Sequence, residues 1–241
     1  MESLPPHELS RLEAISGPDN PLADLVQRRI DGEPLQYIEG SAAFGPLNLM
    51  VDERVLVPRP ETEGLLDMAT RMVRNPSVVI DLCTGSGALG LALKHNFPGA
   101  SVFATEISPE AMEVAAVNKH RSGLEIYLAE GDLFDPLPAS LLGEVDLIVA
   151  NPPYVALADL SSLPPDVRRE PRIALVSGPT GLEVIQRIGA SAADWLRPGG
   201  VVVCEIGERQ GVSATSSFVD LPAVVRQDLA GRDRYIVAVK P

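Results

Sequence analysis

From residue 78 onward, short apolar runs alternate with longer amphipathic ones. The runs 78–82 (VVIDL), 101–106 (SVFATE), 125–129, 145–150 (VDLIVA) and 201–206 are brief and rich in apolar residues, as strands buried on both faces are. Between them, 88–96, 109–121 and 181–196 carry helical spacing. Ser108 can cap the second of these with Pro109 at its first position, and Pro198, Gly199 and Gly200 end the third. Strand and helix in alternation predict an α/β fold: a doubly wound, mostly parallel sheet with right-handed crossovers. Such sheets bind ligands beyond the carboxyl ends of their strands. Further on, 223–228 and 235–239 flank Gly231 and predict an antiparallel pair at the sheet edge.

Upstream the pattern changes. Residues 7–15 and 21–30 read as helices, with Asn20 as a cap for the second, Pro21 in its first turn, and Gly32 and Pro34 closing it. Residues 34–57 (PLQYIEGSAAFGPLNLMVDERVLV) alternate apolar and polar positions around Gly45-Pro46, which predicts a short β-hairpin. An amphipathic stretch comes next at 65–73, with Glu61 and Glu63 placed to favour its helix dipole. The expected organisation is a short helical segment over 1–34, a hairpin and connecting helix over 35–75, and the α/β domain over 76–241. The first segment is too small for a core of its own and should pack on the rest of the chain.

Composition narrows the partners. The 241 residues can bury one sizeable core, and 33 acidic against 20 basic residues leave a net charge of −13. A surface so acidic repels phosphate backbones, and the densest basic cluster, Arg168, Arg169 and Arg172, is interrupted by Glu170. Nucleic acid is therefore an unfavourable partner. Cys83 and Cys204 lie far apart inside apolar runs and read as buried thiols of a reducing compartment, with no metal framework. No apolar run approaches a membrane span, and residues 1–10 (MESLPPHELS) lack a basic and then apolar leader. The expectation is a cytoplasmic protein with no membrane partner.

The chemistry gathers at strand ends. Asn151, Pro152, Pro153 and Tyr154 come directly after the fourth strand. Two prolines remove two donors and fix φ, so the carbonyls of Asn151 and Pro152 stay out of helix or sheet and can accept hydrogen bonds. With Asn151 Oδ1 and a stacking Tyr154 ring they could clamp a planar amino group; alternatively the tetrapeptide is a stiff turn. After the first strand, DLCTGSGALG sets Gly85, Gly87 and Gly90 in a G-x-G-x-x-G pattern, and Glu106 ends the next strand where a ribose carboxylate would stand. A dinucleotide or another nucleoside fits this equally. Asp81 tilts the choice, because its charge repels a pyrophosphate yet suits a zwitterionic tail on a sulfonium nucleoside. Asp132, in GDLF, is placed for an exocyclic adenine amine with Leu133 and Phe134 as apolar walls, or is simply a turn residue.

DLCTGSG, ATEIS and NPPY together resemble the class I methyltransferases that use S-adenosylmethionine. More closely, PLQYIEG, VLVPRPETE, NPPY, EPRIAL, GPTGLEVI and LRPGGVVVCEIGERQ are similar to the protein-(glutamine-N5) methyltransferases that modify peptide-chain release factors. The likeness runs from residue 34 to 241. It implies a seven-stranded class I sheet, a catalytic domain over 76–241, S-adenosylmethionine as cofactor, and as acceptor the glutamine of a Gly-Gly-Gln segment in a release factor or another protein with an exposed glutamine. Carried across, the cofactor site would be Cys83, Thr84, Gly85, Ser86 and Gly87, with Glu106 on the ribose, Asp132 and Leu133 beside adenine, and Asn151 facing both ligands. The glutamine site would fall on Asn151, Pro152, Pro153 and Tyr154, with Phe44 and PRPETE walling the pocket. Cys83 stands where many members have glycine and Glu106 where aspartate is usual, and the helical segment before residue 34 is shorter than is common.

NPPY alone is shared with adenine-N6 methyltransferases of DNA and RNA, the principal rival. A nicotinamide oxidoreductase rests on the glycine pattern only, and a partner-binding subunit without catalysis would have no need of an intact NPPY and glycine loop. His7, His95 and His120 lie in no motif, so no general base is assigned.

Overall fold

The computed structural model describes residues 4–241; the first three residues of MESLPPHELS lie outside the described residues. The chain opens with α1 (Pro6–Ile15), α2 (Leu22–Ile30) and α3 (Leu35–Glu39). They share a small core of Leu12, Leu25, Leu35 and Ile38. The helix α3 departs from the hairpin reading of 34–57. Leu35 and Tyr37 alternate as in a strand, but Leu35 and Ile38 are spaced to share one face of a helical turn, and Pro34 and Gly40 bound that turn. Pro21 rather than Asn20 is the N-cap of α2, and Asn20 pairs with Gly17 instead.

The hairpin itself is β1 (Ser41–Phe44) and β2 (Leu47–Met50), with Phe44 opposite Leu47 and Gly45-Pro46 as its turn. Next comes α4 (Pro60–Met72), which starts earlier than its apolar stretch because Pro60 suits the first helical position. The α/β unit then runs through β3 (Val78–Leu82), α5 (Ala88–Asn96), β4 (Ser101–Glu106), α6 (Pro109–Ser122), β5 (Tyr127–Glu130), β6 (Val145–Ala150), α7 (Arg172–Leu175), α8 (Glu183–Trp195), β7 (Leu196–Glu205), α9 (Gly211–Thr215), β8 (Ala223–Gln227) and β9 (Asp233–Val239). Ser108 caps α6 by accepting from the Ala111 amide. Strand β7 begins at Leu196, before Pro198, and a register shift opposite Val145–Leu147 absorbs the Pro-Gly-Gly segment.

The seven strands form one sheet in the order β5-β4-β3-β6-β7-β9-β8. All pairs are parallel except β7 with β9 and β9 with β8, the antiparallel edge the sequence predicts. Alternation along the strands separates two cores. Val79, Leu147 and Val149 face Leu65, Leu91 and Leu93, whereas Ile80, Leu82 and Ile148 face Ile185, Ile188 and Trp195.

The chain crosses to β4 and β5 on one side of β3 and to β6 and β7 on the other. This switch of direction opens a crevice between β3 and β6. Register decides what lines it: Leu82 pairs with Thr105 and with Ala150, and Ala150 with Cys204. The next residues, Cys83, Glu106, Asn151 and Glu205, therefore stand side by side at the carboxyl edge.

Candidate active site

A cavity with about 1140 Å³ of empty space, part of it open to solvent, lies over that edge. Its floor is Cys83–Ser86, Glu106 and Asn151; one wall is Arg54, Pro58 and Thr62 ahead of and within α4, and the other is Asp132, Leu133 and Arg187.

The loop after β3 is held from two sides. Glu106 accepts from the Gly85 amide through one oxygen at 2.9 Å and from the Ile107 and Ser108 amides through the other at 2.9 and 3.0 Å. Asp81 accepts from the Thr84 hydroxyl and from the Gly90 amide. Burial pushes the Asp81 carboxyl up to about 7. A Cβ at Gly85 would meet nothing within 4 Å, so the loop presents bare backbone to open space. Cys83 is left-handed at φ 57 beside Gly85 at φ 56. Its thiol is pushed well above its ordinary value by burial and is not a reactive thiolate. Since left-handed backbone costs an L-residue about 1–2 kcal/mol, Cys83→Gly should be more stable than Cys83→Ala by about 1 kcal/mol in urea denaturation, the reverse of the usual order. Leu133, on the opposite wall, is also left-handed at φ 49.

At the end of β6, Asn151 and Pro153 line the cavity. The Asn151 Nδ2 donates to Thr62 Oγ1 at 3.0 Å, and Thr62 donates to Glu205 Oε2 at 2.9 Å. The Tyr154 hydroxyl donates to the other Glu205 oxygen at 3.3 Å. Gln210 Nε2 anchors the segment by donating to the carbonyls of Tyr154 and Gly181 at 2.9 and 3.1 Å. The carbonyl of Pro152 accepts no hydrogen bond among the described residues.

Several expected positions fall elsewhere. Asp81 is fully buried behind the loop, because strand alternation turns it toward α5, so it shapes the loop and does not line the cavity. Gly87 also faces inward, where a Cβ would meet Leu91 at 3.3 Å and Ala115 at 3.5 Å. Phe44 is fully buried with Leu65 and Leu66, since the hairpin turns that face onto α4, and it walls no part of the pocket. Phe134 stacks on Trp195 with ring centroids 5.3 Å apart and is core as well. Pro152 is buried, the half-buried Tyr154 ring packs against the core with its hydroxyl on Glu205, and neither is among the residues that line the cavity. Asp132 lies on the cavity but pairs with Arg187 at 2.7 Å.

Sequence reading missed Arg187 and Glu205, and it took Thr62 only as part of the PRPETE wall, where the structure does place it. Arg187 carried no signal on an ordinary amphipathic helix. Glu205 did carry one, a carboxylate ending an apolar strand, just as Glu106 does.

The match to known proteins is broad. Residues 63–162 match the family model described as "Methyltransferase small domain". A release factor glutamine methyltransferase of Deinococcus radiodurans is 42% identical over 220 residues, covering 89% of this chain and 77% of that protein. One from Moorella thermoacetica is 39% identical over 245 residues, covering 98% and 86%. The chain belongs to the release factor glutamine methyltransferase family.

It is accordingly a methyltransferase that uses S-adenosylmethionine. Structural likeness extends the fold further: a methyltransferase from Pyrococcus furiosus superposes with TM-score 0.62 at 17% identity, covering 90% of this chain and 98% of that one. A T. thermophilus 16S rRNA N2-G1207 methyltransferase in complex with AdoMet and guanosine gives TM-score 0.58 at 20% identity, covering 83% and 50%. The residues present suit the family's cofactor. A bare backbone loop at Gly85, a carboxylate at the end of β4 and an apolar wall at Leu133 meet in one cavity.

Proposed function

We propose that this chain methylates the side-chain amide nitrogen of a glutamine in a peptide-chain release factor, the Gly-Gly-Gln glutamine. The observation that carries the reading is the disposition of acceptors after β6. Asn151 Nδ2 is tied to Thr62, which leaves Oδ1 to the cavity, and the Pro152 carbonyl has no partner among the described residues. Asn151 Oδ1 on the cavity, with the unpartnered Pro152 carbonyl one residue on, would offer two acceptors for the two hydrogens of a planar NH2 group.

S-adenosylmethionine supplies a methyl group on a sulfonium, a strong electrophile. Cys83–Ser86 would hold its amino-acid end, Glu106 its ribose, and Asp132 with Leu133 its adenine. An amide nitrogen is a poor nucleophile because its lone pair is delocalised, so positioning dominates. Asn151 Oδ1 and the Pro152 carbonyl hold the substrate NH2, fix its plane and take up the positive charge that develops on nitrogen. Pro153 closes the clamp on the cavity side. Tyr154 acts from behind it, through Glu205. His7, His95 and His120 lie in no motif and no general base is assigned, so the proton leaves to water.

An amide is preferred over adenine because the chain's relatives carry that name and its net charge of −13 opposes phosphate backbones. The partner is then a protein, in the cytoplasm, with neither nucleic acid nor membrane as substrate. Among the described residues no helix is long and apolar enough to cross a membrane. Supplying release factor, duplex DNA and RNA in parallel with labelled S-adenosylmethionine tests the reading. Label should enter protein only; label in adenine would refute it.

A further inference from the structure

Glu205 is 1% exposed at the end of β7, one strand from Asn151, and has no part in holding either ligand. Its two oxygens instead receive the hydroxyls of Thr62 and Tyr154. We propose that Glu205 is a positioning residue that sets, through Thr62, which way round the Asn151 amide sits. The proposal rests on the reading that Asn151 Oδ1 receives the substrate NH2.

The argument is one of hydrogen count. An ionised carboxylate only accepts, so the single hydrogen of the Thr62 hydroxyl is committed to Glu205 Oε2. Thr62 can then offer Asn151 a lone pair and nothing else. Asn151 must turn Nδ2 toward it, at 3.0 Å, and Oδ1 toward the cavity. A proton on Glu205 inverts the chain. The carboxylic acid donates to Thr62, the freed Thr62 hydrogen goes to Asn151 Oδ1, and the amide presents NH2 to the cavity. There it would face the NH2 of the substrate, donor against donor.

The surroundings place this inversion near neutral pH. Burial is the largest influence and pushes Glu205 up to about 7. Arg234 on β9 pulls it down and Glu61 on α4 pushes it up, while the Thr62 and Tyr154 hydroxyls favour the ionised form. Tyr235, opposite Glu205 on β9, spends its hydroxyl on the Glu61 carbonyl at 2.7 Å.

A carboxylate that merely tied α4 to the NPPY segment would be replaced by glutamine at little loss. The relay demands more, because the glutamine amide can donate as well as accept and no longer dictates the Thr62 hydrogen. Two measurements separate the cases. The Asn151 side-chain amide signals, followed by 15N NMR against pH without substrate, should shift with a midpoint near 7 in the wild-type protein and stay fixed in Glu205→Gln and Thr62→Val. In turnover with a glutamine substrate, wild-type kcat should fall as pH drops below about 7. Glu205→Gln should lose about tenfold in kcat at about pH 8 with no acid limb and an unchanged KM for S-adenosylmethionine. Wild-type Asn151 signals that ignore pH, or a Glu205→Gln enzyme with wild-type kcat and the same acid limb, would overturn the relay. Signals that titrate as described in a protein that does not methylate glutamine would support the relay and sink the substrate assignment alone.

Discussion

Asn151→Ala lowers kcat by about 10²–10³-fold while the Kd for S-adenosylmethionine stays within about twofold. The direction comes from where Asn151 stands. Its amide closes the sequence Glu205, Thr62, Asn151, and its free oxygen is the one polar side-chain acceptor that the NPPY segment turns to the cavity. The cofactor's expected contacts come from other strands, chiefly Cys83–Ser86 and Glu106, and the truncation leaves those untouched. Aspartate is the more searching replacement. It keeps the acceptor toward the substrate but has no hydrogen for Thr62, so it should also lose turnover, by a smaller factor. Calorimetry and steady-state kinetics on both variants would check this; near wild-type turnover in the alanine variant would remove Asn151 from the mechanism.

Gly181→Ala should cost about 3 kcal/mol of stability and most of the activity together. Gly181 lies before α8 at φ +79, where an alanine is strained whatever the space around it. Here the space is absent too. A Cβ would stand 2.5 Å from the Tyr154 carbonyl oxygen and 2.9 Å from both the Ala156 amide and Gln210 Nε2. Neither backbone group can withdraw without moving the NPPY segment, and the Gln210 amide is what anchors that segment. Chemical denaturation and turnover measured on the same preparation would show both losses. A stable variant that has lost only activity would also be informative, because it would separate the clamp's geometry from the fold's stability.

Much of the fold was legible because its information is local. A buried parallel strand is a short apolar run, and the runs at Val78–Leu82 and Val145–Ala150 could be little else. The strand ends then named the site, since neighbouring parallel strands in register bring their next residues together. What could not be read was facing. Asp81 was assigned to the pocket on position and Phe44 on resemblance, but alternation turns one toward α5 and the hairpin presses the other onto α4. Tyr154 was expected to stack on substrate; its half-buried ring packs against the core and its hydroxyl meets Glu205, contacts that no local pattern announces. The helix α3 was hidden because Leu35, Tyr37 and Ile38 contain a strand-like pair two apart and a helical pair three apart. The pairs Thr62 with Glu205 and Asp132 with Arg187 join residues 143 and 55 apart, and no local pattern announces such contacts.

The most direct measurement is tandem mass spectrometry of a release factor after incubation with this protein and S-adenosylmethionine. One methyl group on the side-chain nitrogen of the Gly-Gly-Gln glutamine, formed about 10²–10³-fold more slowly when the Asn151→Ala variant is used, is the predicted result. A release factor left unmodified, or methylated at another residue, would contradict it.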